Sequence, residues 1–241
     1  MANAFASLTT EGMERQADTL GGGKTVLPTD VYKLHVKYAY LGESSGGALS
    51  ITVVGSINGG DYSETFWITN KEKKHYYMSK NNKKVPLPGF VIIEDMCLFA
   101  TGKALAQQAT VDKIIEKYDP ETSSMQKASV PVVEGLLDKD VLVAITQVKE
   151  FKRKKFDDGY HTISETTEFN EIEKVFHVDK HLTANEVLKN VEEPAFYTQW
   201  LEAKKGKVRD KTKGKSPERP DANTGSGMPS AEATPVSNPF A

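Results

Sequence analysis

The clearest period along the chain is two. From Val31 to Tyr40 apolar and polar residues alternate, with Tyr32, Leu34, Val36, Tyr38 and Tyr40 on one side and Lys33, His35 and Lys37 on the other. Successive strand side chains point to opposite faces, so this pattern is a half-buried strand with a basic outer face. A turn over residues 43–47 leads into a second strand over residues 49–54, with Ile51 and Val53 on its buried side. Asn58-Gly59-Gly60-Asp61 supplies residues that tolerate the positive φ of a hairpin and returns the chain into a third strand over residues 62–69. Three sequential antiparallel strands begin a meander or small barrel. They put Lys33, Lys37 and Trp67 on a common surface as long as no bulge exchanges the faces.

The period then changes. Residues 85–90, with Pro86 and Pro88, read as irregular, and residues 91–101 read as an apolar helix closed by Gly102. Cys97 lies in the wholly apolar run from Met96 to Phe99 and reads as core packing, because a reactive thiol needs exposure and nearby cations. Residues 114–118 and 127–133 read as a strand pair about the Asp119-Pro120 turn. Residues 141–148 alternate again and pass into Lys149, Lys152, Arg153, Lys154 and Lys155 around Phe151 and Phe156. Asp157-Asp158-Gly159 reverses this strand into residues 160–169, giving a long hairpin with a basic tip. Thr183 with Glu186 forms a capping box, and Pro194 suits the first turn of a helix through Trp200 and Leu201. The expected class is an all-β core with a few peripheral helices.

Composition narrows the possibilities. Of 241 residues 38% are hydrophobic, a low share for one compact fold, so part of the chain is expected to lie outside the core. The net charge of -2 confines any affinity for nucleic acid to local patches. A single cysteine excludes an internal disulfide or a cysteine zinc cluster and fits a reducing cytoplasm. No apolar run approaches the roughly 18 residues of a membrane span, so no membrane partner is expected. Residues 1–26 read as a flexible arm. Its GGGKT stretch has Asp18 where a phosphate loop needs glycine, and Leu27-Pro28 follow where a helix should start. Residues 27–203 read as one domain and residues 204–241 as a disordered tail, basic up to Arg219 and then rich in Pro, Gly and Ser. His177 and His181 are four apart with no third ligand grouped near them, so neither metal nor other cofactor is expected.

The chemistry-bearing stretch is residues 62–84, where an aromatic strand passes into a lysine-rich segment. Trp67, Tyr76 and Tyr77 stand among Lys71, Lys73, Lys74, Lys80, Lys83 and Lys84. Flat rings stack on unpaired bases while ammonium groups follow phosphates, which is what binding of single-stranded nucleic acid requires. The same residues also fit a half-buried strand with Trp67 packed on one face and the lysines in a solvated loop. The candidate DNA contacts are Lys33, Lys37, Trp67, Lys73, Lys74, Tyr76, Tyr77 and Lys80, joined by Lys152, Arg153 and Lys154 at the hairpin tip. That tip reads equally as an exposed solubilising loop.

The order of LPTDVYKLHVKYAY, FWITN, HYYMSKNNKKVPLPGF, MCLFATGKAL, VPVVEGLLDKDV and EIEKVF before a helix and a basic end resembles the single-stranded DNA-binding proteins of tailed bacteriophages. The likeness covers residues 27–215 and lies in order and texture. It implies an OB-fold, a five-stranded Greek-key barrel here with extra hairpins, that coats and protects unwound DNA during phage replication, recombination and repair in the host bacterial cytoplasm, without catalysis. It also implies partner recruitment through a C-terminal tip, for which Pro239 and Phe240 are the candidates; Ala241 follows them and the preceding residues are scarcely acidic. The rivals are a nuclease or other DNA-processing enzyme, which would need clustered carboxylates or a base-nucleophile pair, and a protein-binding adaptor of the replication machinery.

Overall fold

The computed structural model describes residues 26–119, 122 and 124–219. In chain order it holds β1 (Asp30–Glu43), β2 (Leu49–Ile57), β3 (Gly60–Trp67), the small hairpin β4 (Tyr76–Met78) and β5 (Lys84–Pro86), and helix α1 (Pro88–Thr101). Two longer hairpins follow, β6 (Thr110–Asp119) with β7 (Ser124–Val133) and β8 (Lys139–Phe156) with β9 (Gly159–Phe176). Helices α2 (Ala184–Leu188) and α3 (Ala195–Lys204) and the two-residue strand β10 (Arg209–Asp210) complete it. The chain is thus mostly β-sheet with few helices, as its alternating pattern requires.

β1 is long enough to serve three neighbours, β2, β8 and, at Tyr40 opposite Val132, β7. Its first half pairs with β8, from Asp30 opposite Ile145 to Val36 opposite Lys139, and its second half pairs with β2. The path runs β3-β2-β1-β8-β9, every step antiparallel, so the two outermost strands run parallel to each other. Among the described residues no backbone ladder joins β3 to β9, and the sheet does not close. Side chains bridge that seam instead. The Glu64 carboxylate of β3 accepts the Ile172 N–H of β9 at 3.0 Å, and the Asn170 amide clips both backbone groups of Leu27 at 2.8 Å. A cleft of about 700 Å³ lies along it, lined by Leu27, Tyr62, Phe169 and Asn170 among others.

Inside, Leu34, Val36, Ala39, Ile51, Val53, Phe66, Val141, Val143, Ile145 and Val175 pack against Ile92, Ile93, Met96 and Cys97 of α1. Pro88 opens α1 where no N–H donor is needed, and Gly102 at φ 71° ends it by donating to the Leu98 carbonyl at 2.8 Å. Burial pushes the Cys97 thiol up to about 12, so it stays protonated and inert. Gly89 lets the helix start lie on the end of β3, since a Cβ there would fall 2.5 Å from the Trp67 carbonyl oxygen. Residues 85–90 are therefore not irregular. Pro86 ends a short strand and Pro88 starts a helix, two positions that tolerate a missing donor.

Two further differences from the sequence reading bear on the site. The β1–β2 register slips between Val36 and Tyr38, so Lys37 is an extra residue and the alternation reverses. Ala39 turns inward, while Tyr38 and Tyr40, expected on the buried side, join Lys33 and His35 on the outer face. The second difference is the basic half of the tail. Residues 205–219 are ordered against the β8–β9 hairpin rather than free. Arg209 and Asp210 pair parallel with Val148 and Lys149, Thr29 Oγ1 donates to the Lys207 carbonyl at 2.6 Å, and Arg219 N–H donates to the Thr162 carbonyl at 2.9 Å. Their basic side chains find carboxylates, Lys205 with Asp30, Arg209 and Lys211 with Glu171, and Arg219 with Asp158. Charge alone argued for a solvated segment, but acids spaced along the hairpin give it a track. Residues 1–25, with the glycine-rich arm, and residues 220–241, with Pro239 and Phe240, lie outside the described residues.

Candidate nucleic-acid interface

The registers of β1, β2 and β3 define the outer face row by row. His35, Ser56 and Asp61 form one row, Tyr38, Val54 and Ser63 the next, then Tyr40, Thr52 and Thr65, then Gly42, Ser50 and Trp67. Strands stand about 4.8 Å apart and rise about 3.3 Å per residue, so Tyr40 and Trp67 lie roughly 12 Å from each other across this face. Between them the Thr52 and Thr65 hydroxyls share a hydrogen bond of 2.9 Å, with Thr52 buried and Thr65 exposed on β3. Trp67 is 49% exposed although it is the kind of residue that usually packs. The backbone beneath it is fixed by the Gly89 approach, so the ring is presented by a rigid element.

The remaining outer surfaces, and the β1 and β2 side of this one, are covered. Trp200, Tyr197 and Leu201 of α3 lie over Val31, Ala144 and Phe176, and the β6–β7 hairpin brings Ile115, Val130 and Val132 against Tyr38 and Tyr40. Tyr38 and Tyr40 are half-buried, with ring centroids 6.3 Å apart, and Lys117 Nζ sits 5.7 Å above the Tyr40 ring. The sequence reading missed this pair because it assigned both rings to the core. The signal that could have found them is the crowding of aromatics after Lys37, one residue out of step with Ala39 and Leu41.

The predicted lysines lie along the rim of this face and already hold carboxylates. Lys33 pairs with Asp140 at 2.7 Å, Lys37 with Asp61 at 3.0 Å, Lys73 with Glu43 at 3.3 Å and Lys74 with Glu72 at 2.7 Å. Hydrogen bonds from Lys33 and then His35 hold the Asp140 carboxyl below its ordinary range. Exposed pairs of this kind are worth about 0 to 1 kcal/mol, so exchanging one carboxylate for a phosphate costs little. Lys80 is exposed in the β4–β5 turn. Tyr76 and Tyr77 do not act together. Tyr76 is half-buried beneath Lys84 Nζ at 4.7 Å and edge-on to His75, whereas Tyr77 is 50% exposed.

Lys152, Arg153 and Lys154 lie on the distal part of β8, away from the β1–β2–β3 face in the chain but continuous with the sheet through β1. Lys152 pairs with Glu165 at 2.8 Å, and the Arg153 guanidinium reaches the Tyr160 carbonyl at 3.5 Å. The neighbouring acids have other tasks. Glu94 accepts the Leu105 N–H at 2.7 Å, burial pushes Asp95 up to about 6, and Asp158 holds His161 and Arg219. His177 Nδ1 accepts the Asp179 N–H at 3.2 Å while the His181 ring stacks on Tyr197 at 4.5 Å. Among the described residues no group of three or more His, Cys, Asp or Glu is placed to hold a metal ion, and no helix is long and apolar enough to cross a membrane.

Compared with family models, curated proteins and solved structures, the chain matches none.

Proposed function

We propose that this chain is a non-catalytic single-stranded DNA-binding protein of the tailed-phage kind, built on an open OB-like barrel. The observation that carries the reading is the exposed outer side of β3, where Trp67 is half exposed on a rigid strand end, with Lys73 held by Glu43 at the same end of the sheet and Lys37 held by Asp61 at the other. The topology supports it. β8 returns after α1 and the β6–β7 hairpin to lie beside β1, giving the spatial order fourth, first, second, third of a Greek key, with β9 as fifth strand across the unladdered seam. OB-folds are partly open five-stranded Greek-key barrels. They bind oligonucleotides on the face of their second and third strands and on the loops joining first to second and fourth to fifth. Those positions here are the outer face with Trp67, the turn before β2, and the basic β8–β9 tip.

In this reading bases stack on Trp67 and Tyr77, with Tyr38 and Tyr40 bordering the track. Lys33, Lys37, Lys73, Lys74 and Lys80 follow the phosphates, exchanging weak surface partners for them. Lys152, Arg153 and Lys154 extend the track along the hairpin. Coating of unwound DNA in a host bacterial cytoplasm during replication, recombination and repair is the role such a surface serves, and recruitment of replication or recombination proteins falls to Pro239 and Phe240. A nuclease would draw on the neighbouring acids, and these are engaged in helix and turn contacts. An adaptor would bind protein with little dependence on salt.

Titrating the full chain with oligo-dT and with a duplex of equal length, at two salt concentrations, tests the proposal. Preferential binding of the single strand that weakens steeply with salt is expected. Equal affinity for the duplex, or no binding at low salt, overturns it.

A further inference from the structure

The β8–β9 hairpin has two unlike faces at its tip. Directly opposite residues on antiparallel strands share a face, and the pairs here are Arg153 with Thr162, Lys154 with His161, Lys155 with Tyr160 and Phe156 with Gly159. Lys154, Phe156 and His161 therefore belong to one face, and Arg153, Lys155, Tyr160 and Thr162 to the other. The first face is occupied by the chain itself. The Arg219 guanidinium lies 4.5 Å above the Phe156 ring, Glu218 takes His161 Nδ1 at 3.1 Å, and Lys211, farther down the hairpin, lies 5.5 Å above the Phe169 ring. The second face carries Tyr160, 59% exposed, with the cations of Lys155 and Arg153 beside it.

An exposed ring on a two-stranded arm has no packing explanation: the crossing segment runs along the β9 edge at Thr162 and Ile163 and reaches the Phe156 face, and Tyr160 stays exposed beyond it. Its surroundings match what an unpaired base requires, a free flat ring with two cations on the adjoining strand for neighbouring phosphates. We propose that Tyr160 is a second base-stacking site, for one unpaired nucleotide, with Lys155 and Arg153 as its phosphate contacts. This rests on the single-stranded DNA reading above and adds to it a subsite at the hairpin tip that is separate from the Trp67 face. Residues 211–219 act on it indirectly. By filling the Phe156 face they leave the tip with a single open side and stiffen the arm that carries it.

Tyr160→Ala, Tyr160→Phe, Lys155→Gln and Trp67→Ala variants of the full chain, titrated with oligo-dT alongside the parent, test the assignment. Tyr160→Ala is expected to weaken binding about 5- to 100-fold, the range for loss of one stacked base, with Tyr160→Phe close to the parent. Lys155→Gln is expected to reduce the salt slope by about 1. If the parent and Trp67→Ala behave as the general reading requires but Tyr160→Ala binds as the parent does, the tip site is wrong and the reading stands. If Tyr160→Phe is as weak as Tyr160→Ala, the hydroxyl and not the ring makes the contact, and stacking is overturned. A parent with no preference for single strands removes the underlying reading itself. Tyr160→Trp provides an independent signal, since indole emission at the tip should be quenched by oligo-dT, and an unchanged emission at saturation counts against stacking.

Discussion

The two ends of the β8–β9 hairpin are held by different physics. Near the body of the sheet, Val141, Val143 and Ile145 are fully buried in the core, while Ala144 and Phe176 on the opposite side are fully buried beneath α3. Beyond Val148 the strands lose both coverings, although Ile163, bridged to Arg219 of the crossing segment, stays buried. Ion pairs hold that distal part, Lys152 with Glu165 and Lys211 with Glu150, together with the crossing segment that ends at Arg219. Apolar burial is strong and tolerates no polar intruder, whereas exposed ion pairs are weak and exchangeable. The proximal half therefore fixes the fold. The distal half presents cations and the Tyr160 ring to solvent, the surface the proposed DNA binding would use.

The sharpest way to break that comparison is to injure each half. Ile145→Ala, which empties a fully buried position, should cost about 2 to 5 kcal/mol of stability by urea unfolding. Exchanging Lys152, Arg153 and Lys154 together for glutamine should leave stability within about 0.5 kcal/mol of the parent, because exposed positions with surface partners contribute little. It should also flatten the salt dependence of oligo-dT binding. Comparable destabilisation by both changes would mean that the tip is part of the core.

The next test concerns the seam. Burial pushes Glu64 from its ordinary 4.5 up to about 7, against the lowering effect of the Tyr62 hydroxyl and the Ile172 N–H that bind it. Between those two values the folded chain holds a proton that the unfolded chain has released, so the Glu64 contribution to stability is greatest below pH 4.5 and falls as pH rises to 7. The fall attributable to Glu64 is on the order of 3 kcal/mol, from 1.36 kcal/mol per unit. Asp95, raised by burial to about 6, adds a decline of the same sign that ends earlier. Glu64→Gln should flatten the upper part of a stability-versus-pH curve, and a curve identical to the parent's would show that the seam carboxylate is not desolvated.

What the sequence disclosed follows from how local each determinant is. The strands at β1, β2, β3 and β8, the tight turn at Asp157-Asp158-Gly159, the α1 stop at Gly102 and the Thr183 cap all rest on short-range patterns, and all are present in the structure. The bulge at Lys37 was not legible, since one extra residue leaves composition unchanged and only the partner strand reveals it. It moved Tyr38 and Tyr40 to the outer face, where they stand half-buried under the β6–β7 hairpin. The docking of residues 205–219 was illegible for the opposite reason. Its determinants are Asp30, Glu171 and Asp158, up to 175 residues away in the chain, and composition counts only the local excess of lysine.

Trp67 marks the middle of the scale. Trp67→Ala should weaken oligo-dT binding by about 1 to 3 kcal/mol, since a stacked base is lost, with little change in the unfolding midpoint because the ring is half exposed. A variant that unfolds early but binds normally once folded would reassign Trp67 to packing.

The smallest effect is expected at Arg219, where the comparison between the two hairpin halves becomes quantitative. Its guanidinium lies 2.5 Å from Asp158 and above the Phe156 ring, both at the surface, so Arg219→Ala should remove about 1 kcal/mol or less. Global unfolding should barely register this. Local opening should, because the Arg219 N–H and the Thr162 N–H are the hydrogen bonds that the guanidinium keeps in place, the first to the Thr162 carbonyl and the second to Glu218. A loss of about 1 kcal/mol corresponds to a roughly fivefold rise in opening, so amide exchange at Thr162 and residue 219 should quicken by that factor while Val143 and Ile145 keep the parent rate. If the core amides quicken equally, the hairpin tip and the body of the sheet open as one unit, and the division between a fixed proximal half and an adaptable distal half fails. If only the tip responds, the crossing segment is a local clamp whose strength can be tuned without cost to the fold.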